Sequence, residues 1–232
     1  GKMTLKQVLA ELKNMGTAQN VKVYKRHGAG DNLYGVSFAN LGTLKKKIKV
    51  DHELALQLWD TGNADAQTLA MMIVDPEQLT ASQINQWVAG INYYVLSDML
   101  SGVVARTPFA QKKIEQWMAA KTEFMCATGY SGLASALKDN LADITDADCK
   151  RYLRTIVKDI HKAPNRARHA MNGAVIAIGV FRPHLAAEAI AAAKQIGQVA
   201  VDHGETNCRT PDAVPYIQKA LKRKPRRARV KC

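Results

Sequence analysis

The sequence predicts an all-α protein built as a curved stack of helical hairpins, an α-solenoid. Three observations carry that expectation. Apolar residues recur at three- and four-residue spacing through most of the chain. The alternation of Val, Ile and Thr that marks half-buried strands does not occur. Trp59, Trp87 and Trp117 stand 28 and 30 residues apart, each with an aliphatic residue three positions earlier (Leu56, Ile84, Ile114). Each also falls near the end of one predicted helix with a second helix following, so the unit reads as a repeated hairpin. A single hairpin cannot bury its apolar face. Stacked neighbours can, and the stack leaves one long concave surface, the usual binding face of such repeats.

Taken in order, Met3, Leu5, Val8, Leu9 and Leu12 define one face of an N-terminal helix, and Gly16 ends it. Gly28, Gly30 and Gly35 surround a polar loop from His27 to Tyr34. These glycines lack the strand-then-helix context of a phosphate-binding loop. Val36 to Val50 reads as a lysine-rich helix carrying Lys45, Lys46, Lys47 and Lys49. From Asp51 onward helix follows helix. The joints are signalled by Asp60-Thr61-Gly62-Asn63, Asp75-Pro76, Thr107-Pro108, Asp139-Asn140, Ala163-Pro164 and Arg182-Pro183. Met71, Met72, Met99 and Met118 read as core filler.

Composition agrees with this. Of 232 residues 47% are hydrophobic, enough to bury a real core, and aromatics are sparse at 6%. The net charge is +13, and seven cations with no acid fall between Leu221 and Lys231, so the body carries +6 in its own right. That balance fits a polyanionic partner. Residues 1–221 are expected to form a single repeat domain and 222–232 a basic tail, disordered until DNA neutralises it and contributing salt-sensitive affinity. Cys126, Cys149, Cys208 and Cys232 show no paired spacing, which reads as reduced thiols rather than a zinc or redox motif. His203 and Cys208 have no further ligand types beside them, and neither a metal nor a cofactor is expected. No apolar run is long enough to span a bilayer and no signal peptide is read, so the expected setting is a cytosol without membrane contact.

Several stretches carry a resemblance. Asp51 to Asp60 is followed by Asn63-Ala64-Asp65-Ala66 and Ile73-Val74-Asp75-Pro76. Later come Asn165-Arg166-Ala167-Arg168-His169-Ala170-Met171-Asn172 and the run from Val201-Asp202-His203-Gly204 through Thr210-Pro211-Asp212-Ala213. Together, from about Met3 to Leu221, the chain resembles the bacterial DNA alkylation repair proteins with HEAT-like repeats. The tryptophan period is shorter than the ~40–47 residues of standard HEAT units, so the repeat would be degenerate. The resemblance implies a right-handed α-solenoid of HEAT-like hairpins with a concave basic face. It also implies a monomer that binds double-stranded DNA with alkylated bases. The activity implied is that of a monofunctional DNA glycosylase, a hydrolase of N-glycosyl bonds that excises N3- and N7-alkylated purines. A cationic base leaves readily, so such an enzyme needs mainly to hold the nucleotide and stabilise the sugar cation, or orient water toward it, with a fixed carboxylate.

On that resemblance Asp98 occupies the position of the catalytic carboxylate. Tyr94, one helical turn earlier, stands where active relatives carry Trp, and Tyr93 beside it would line the same cleft. Two positions depart from the family pattern. Ala127 (or Cys126) stands at the site of an arginine near the lesion phosphate, and Gly173 stands close to that of a second cleft tryptophan. Arg166, Arg168 and Asn172 are the candidates to fill that gap as phosphate contacts, with Lys112, Lys113, Lys158 and Lys162 near helix ends as further cations. Three readings stand: a glycosylase, a DNA-binding protein that kept the solenoid without the chemistry, and a helical scaffold for another protein.

Overall fold

A computed structural model of the chain describes residues 2–223, and among these there are thirteen α-helices and no strand. They divide into two compact units, residues 1–103 with 204–206, and 104–203 with the C-terminal remainder. The basic tail beyond Arg223 lies outside the described residues. Lys222, where it was expected to begin, is the last residue of a helix.

The first unit holds α1 (Leu5–Met15), α2 (Ala18–Arg26), α3 (Phe38–Ile48), α4 (His52–Asp60), α5 (Ala64–Ile73), α6 (Ala81–Ala89) and α7 (Tyr94–Val104). The first six start on a side chain whose oxygen accepts from an orphan backbone N–H: Thr4, Thr17, Ser37, Asp51, Asn63 and Thr80. Thr4 with Gln7 and Thr80 with Gln83 complete reciprocal capping boxes. The repeat read from tryptophan spacing is physical here. Trp59 at the end of α4 and Trp87 at the end of α6 are buried and stacked, centroids 4.9 Å apart and planes 19° from parallel. The glycine-bracketed loop is also there. The Asp65 carboxylate, buried in α5, accepts from the N–H groups of Tyr34 (2.6 Å), Gly35 (3.0 Å) and Val36 (2.8 Å). Gly35 has φ +80°, and a Cβ there would come within 2.6 Å of the Thr17 carbonyl, so only glycine fits this turn.

The second unit holds α8 (Ala110–Met118), α9 (Glu123–Lys138), α10 (Asp146–Asp159), α11 (Asn165–Phe181), α12 (Ala186–Ile196) and α13 (Ala213–Lys222), with 3₁₀ turns at Ile160–Lys162 and Pro183–Leu185. Helix α11 is its axis and packs against α9, α12 and α13. Its residues from His169 to Gly179 are all buried, as an all-round apolar helix at the centre of a unit must be. Trp117, buried at the end of α8, sits where α8 turns back onto α9. At Gly129 of α9 a Cβ would lie 2.4 Å from the Met118 backbone nitrogen, so this hairpin closes to a distance that only glycine allows. Cys126 and Cys149 are buried free thiols, whereas Cys208 is disulfide-bonded, which corrects the expectation of four reduced thiols. Among the described residues no single helix is long and apolar enough to cross a membrane.

Candidate functional site

In the first unit the structure brings Tyr93, Tyr94 and Asp98 together at the start of α7. Asp98 is solvent-exposed one turn after Tyr94. The rings of Tyr93 and Tyr94 meet edge to face with centroids 5.7 Å apart. Tyr93 is buried, and burial pushes its hydroxyl well above the ordinary phenol range, so it stays neutral. Tyr94 is half-buried, and its hydroxyl is hydrogen-bonded to Nδ1 of His27, whose ring lies 5.6 Å away. Burial, and then the charge of Arg26, hold His27 below the usual imidazole range, so at neutral pH it meets the tyrosine uncharged. The partnership was not visible in the sequence, because 67 residues separate the two side chains. A neutral histidine bonded to the tyrosine fixes the tilt of its ring. A fixed aromatic face one turn from an exposed carboxylate is an arrangement able to hold a sugar and answer a positive charge.

In the second unit Arg166, Arg168 and Asn172 sit together along α11, and much of their hydrogen-bonding capacity is directed inward. Arg168 donates Nη1 to the Ala200 carbonyl (2.8 Å), and Nε and Nη2 to the Ala163 carbonyl (3.3 and 3.0 Å). Asn172, 4% exposed, donates Nδ2 to the Pro211 carbonyl (2.8 Å). Asn165 exchanges two bonds with the backbone of Asp202: Nδ2 to its carbonyl (2.6 Å), and Oδ1 from its N–H (2.7 Å). Arg166 lends its backbone N–H to Glu123 at the start of α9 (3.1 Å), and Nη1 approaches Nδ1 of His203 (3.4 Å). His203 Nε2 and His169 Nδ1 each lie 2.9 Å from the Thr210 hydroxyl, and the two rings are perpendicular at 5.3 Å.

The donor inventory fixes the direction of this chain. Arginine only donates, so Nδ1 of His203 accepts and its Nε2 carries the proton. That N–H donates to Thr210, and the threonine hydroxyl donates to His169. Both imidazoles are therefore neutral. Burial, then Arg166, then His203 bring His169 down to about 3, and burial and Arg166 lower His203 as well. Two of the stretches that carry the resemblance thus meet in one clasp, in which Asn165 to Asn172 of α11 hold residues 200, 202, 203, 210 and 211.

The remaining candidates divide by exposure. Lys112 and Lys162 are exposed, whereas Lys113 is 7% exposed and its ammonium donates to Gln116 (3.1 Å). Ala127, 4% exposed, is buried in α9, and Gly173 is buried in α11, the helix packed most closely against it. Burial pushes the neighbouring Cys126 thiol up to about 11, so it offers no nucleophile. Among the described residues no cluster of three or more His, Cys, Asp or Glu is placed to hold a metal ion.

Residues 5–217 match the family described as DNA alkylation repair enzyme. The chain belongs to that family. Two curated relatives, uncharacterized proteins of Listeria innocua and Listeria monocytogenes, are 28% and 27% identical over 227 residues, covering 95% of this chain and 99% of each relative. A solved structure with a TM-score of 0.85 is 28% identical and covers 94% of both chains. It is described as a new family of proteins related to the HEAT-like repeat DNA glycosylases with affinity for branched DNA structures. The all-α stack of hairpins read from spacing, with the HEAT-like repeats that the resemblance implied, is therefore the fold of this chain.

Proposed function

We propose that this family member binds DNA through its phosphates without excising bases, and that branched or sharply distorted duplexes are its preferred form. The observation that carries this reading is the state of two positions. Where the family pattern has a phosphate-binding arginine and a second aromatic ring, this chain has Ala127 and Gly173, both buried in packed helices. One cation and one stacking face are missing from the excision machinery, while the basic charge that drives backbone binding is kept. The likeness to a protein with affinity for branched DNA supports the same reading. A junction offers phosphates on diverging arms, which a backbone-reading surface meets in greater number than on one straight duplex.

Competition binding tests it. Four-way and three-way junctions should displace a labelled junction at least ~10-fold better than a duplex of equal length, and log Kd should rise linearly with log salt. Equal competition by duplex and junction would remove the structural preference, and salt-independent binding would remove the phosphate mechanism. A second reading, a glycosylase for alkylated purines, is favoured by one specific observation: Asp98 is exposed one turn from a ring-positioned Tyr94. Protein-dependent release of free 7-methylguanine from methylated DNA would favour it.

A further inference from the structure

A second surface lies on the second unit and shares no lining residue with the clasp. Helices α10 and α12 pack side by side and leave an open groove of about 500 Å³ between them. Its floor is aliphatic: Leu153 and Ala192 are buried, Val157 is half-buried and Ala191 is exposed. One wall carries Lys150 and Arg154, and Lys158 continues their line one turn further along α10. These three cations stand at i, i+4 and i+8, on one face and separated by about 6 Å of helix rise per step. All three are exposed, and among the described residues none of them is in an ion pair. Their neighbour Arg151 differs, being held by Glu115 (2.7 Å) and Asp148 (3.0 Å). The opposite wall carries Glu188 and Gln195.

We infer that this groove is a docking site for an acidic amphipathic helix of a partner protein. Two helices lying side by side with an aliphatic furrow between them present what a third helix needs, a trough for anchors spaced at i, i+3 and i+4. The row of unpaired cations selects a helix whose flank is acidic, and its 6 Å repeat matches Glu or Asp placed every fourth residue. A nucleic-acid strand fits less well. It has no aliphatic face for the floor, and its phosphates would lie against the Glu188 carboxylate. The two cations that line the groove, Lys150 and Arg154, are not among the phosphate candidates; only Lys158, which lies beyond the lining, is shared with them.

The test uses the full chain and a labelled 16-residue helical peptide with Leu at i, i+3, i+4 and i+7 and Glu along one flank, read by fluorescence anisotropy. The peptide should bind saturably. A version with Lys for Glu should not bind. The double substitution Lys150→Glu, Arg154→Glu should weaken the acidic peptide at least ~10-fold while leaving junction-DNA affinity within ~2-fold. Ala191→Arg, which closes the floor without touching the cation row, should weaken the peptide as well. No saturable binding of the acidic peptide, or binding unchanged in the double variant, would overturn the inference. So would a ~10-fold fall in DNA affinity on the double charge reversal, which would reassign the row to phosphate contact.

Discussion

The starts of α7 and α11 carry the two groups of candidate residues, and the structure uses them in opposite ways. On α7 Asp98 and, in part, Tyr94 are exposed, while Tyr93 beside them is buried. Tyr93 and Tyr94 are fixed by burial and by His27, and Asp98 faces solvent. On α11 the polar groups turn back to the chain. Arg168, Asn165 and Asn172 satisfy carbonyl and N–H groups of a segment that forms no helix between Ile196 and Ala213. A cation-rich motif in a DNA-binding family invites a phosphate reading. Here much of it holds irregular backbone at residues 200, 202 and 211 against the central helix of the second unit. Without it, carbonyls at 163 and 211, both part-buried, and the exposed one at 200 would lose their protein partners, and a hydrogen bond to a charged donor contributes about 1.5–3 kcal/mol at most.

The largest effect that bears on this contrast comes from restoring the family arginine. Ala127→Arg inserts a long cation into the buried face of α9 and should destabilise the second unit by more than about 3 kcal/mol, seen as a lowered urea midpoint. A stable variant that gains base-release activity would mean that the position opens onto DNA after all. Next is Arg168→Met, which keeps the aliphatic stem and removes the donors. It should cost about 2 kcal/mol of stability, with the salt slope of DNA binding unchanged. A slope reduced by about 0.9 at unchanged stability would return Arg168 to the phosphate contacts.

The third effect is a pH dependence. His169 is neutral in the fold with its pKa lowered to about 3, against roughly 6.5 in an unfolded chain. Its contribution is complete above about pH 6.5 and is lost progressively as pH falls from there toward 3. The loss is at most about 1.4 kcal/mol per pH unit, or about 2 kcal/mol by pH 5. The less buried His203 and His27 are lowered too and add in the same direction. Urea midpoints measured between pH 7.5 and 5 should fall, and less so in His169→Gln. An unchanged slope in that variant would place the titration elsewhere. The smallest effect is on the outward cations. Lys112→Ala and Lys162→Ala should each lower the salt slope by about 0.9 and weaken all DNA forms alike, with stability untouched.

How much of this was legible follows the distance over which each contact acts. The starts of α1 to α6 rest on caps three residues from the helix they open, so a reading of Thr4, Asp51 or Asn63 in sequence finds them. The joints at Gly62, Pro76, Pro108, Pro164 and Pro183 were equally local. Helix α2, with no fully buried residue, is passed over in the sequence reading, which goes from Gly16 to the loop at His27. The breaks at residues 90–93 and 119–122 were read only from Trp87 and Trp117 falling near a helix end. On α11 the opposite holds. Its start has no side-chain cap of its own, and its first residues are held by Asp202 and Glu123, 37 and 43 positions away. The same reach hid His27 from Tyr94 and Thr210 from His169. Residue type announced polar work at these places, but only the fold tells whether that work is directed at a ligand or at the chain.

The most direct measurement is release of free base from DNA carrying 7-methylguanine, with the wild type and Asp98→Asn compared at protein concentrations that saturate the DNA. Neither protein should release base above spontaneous depurination, with junction binding intact in both. Release by the wild type that Asp98→Asn abolishes would contradict this, and would make the exposed carboxylate beside Tyr94 the centre of an enzyme.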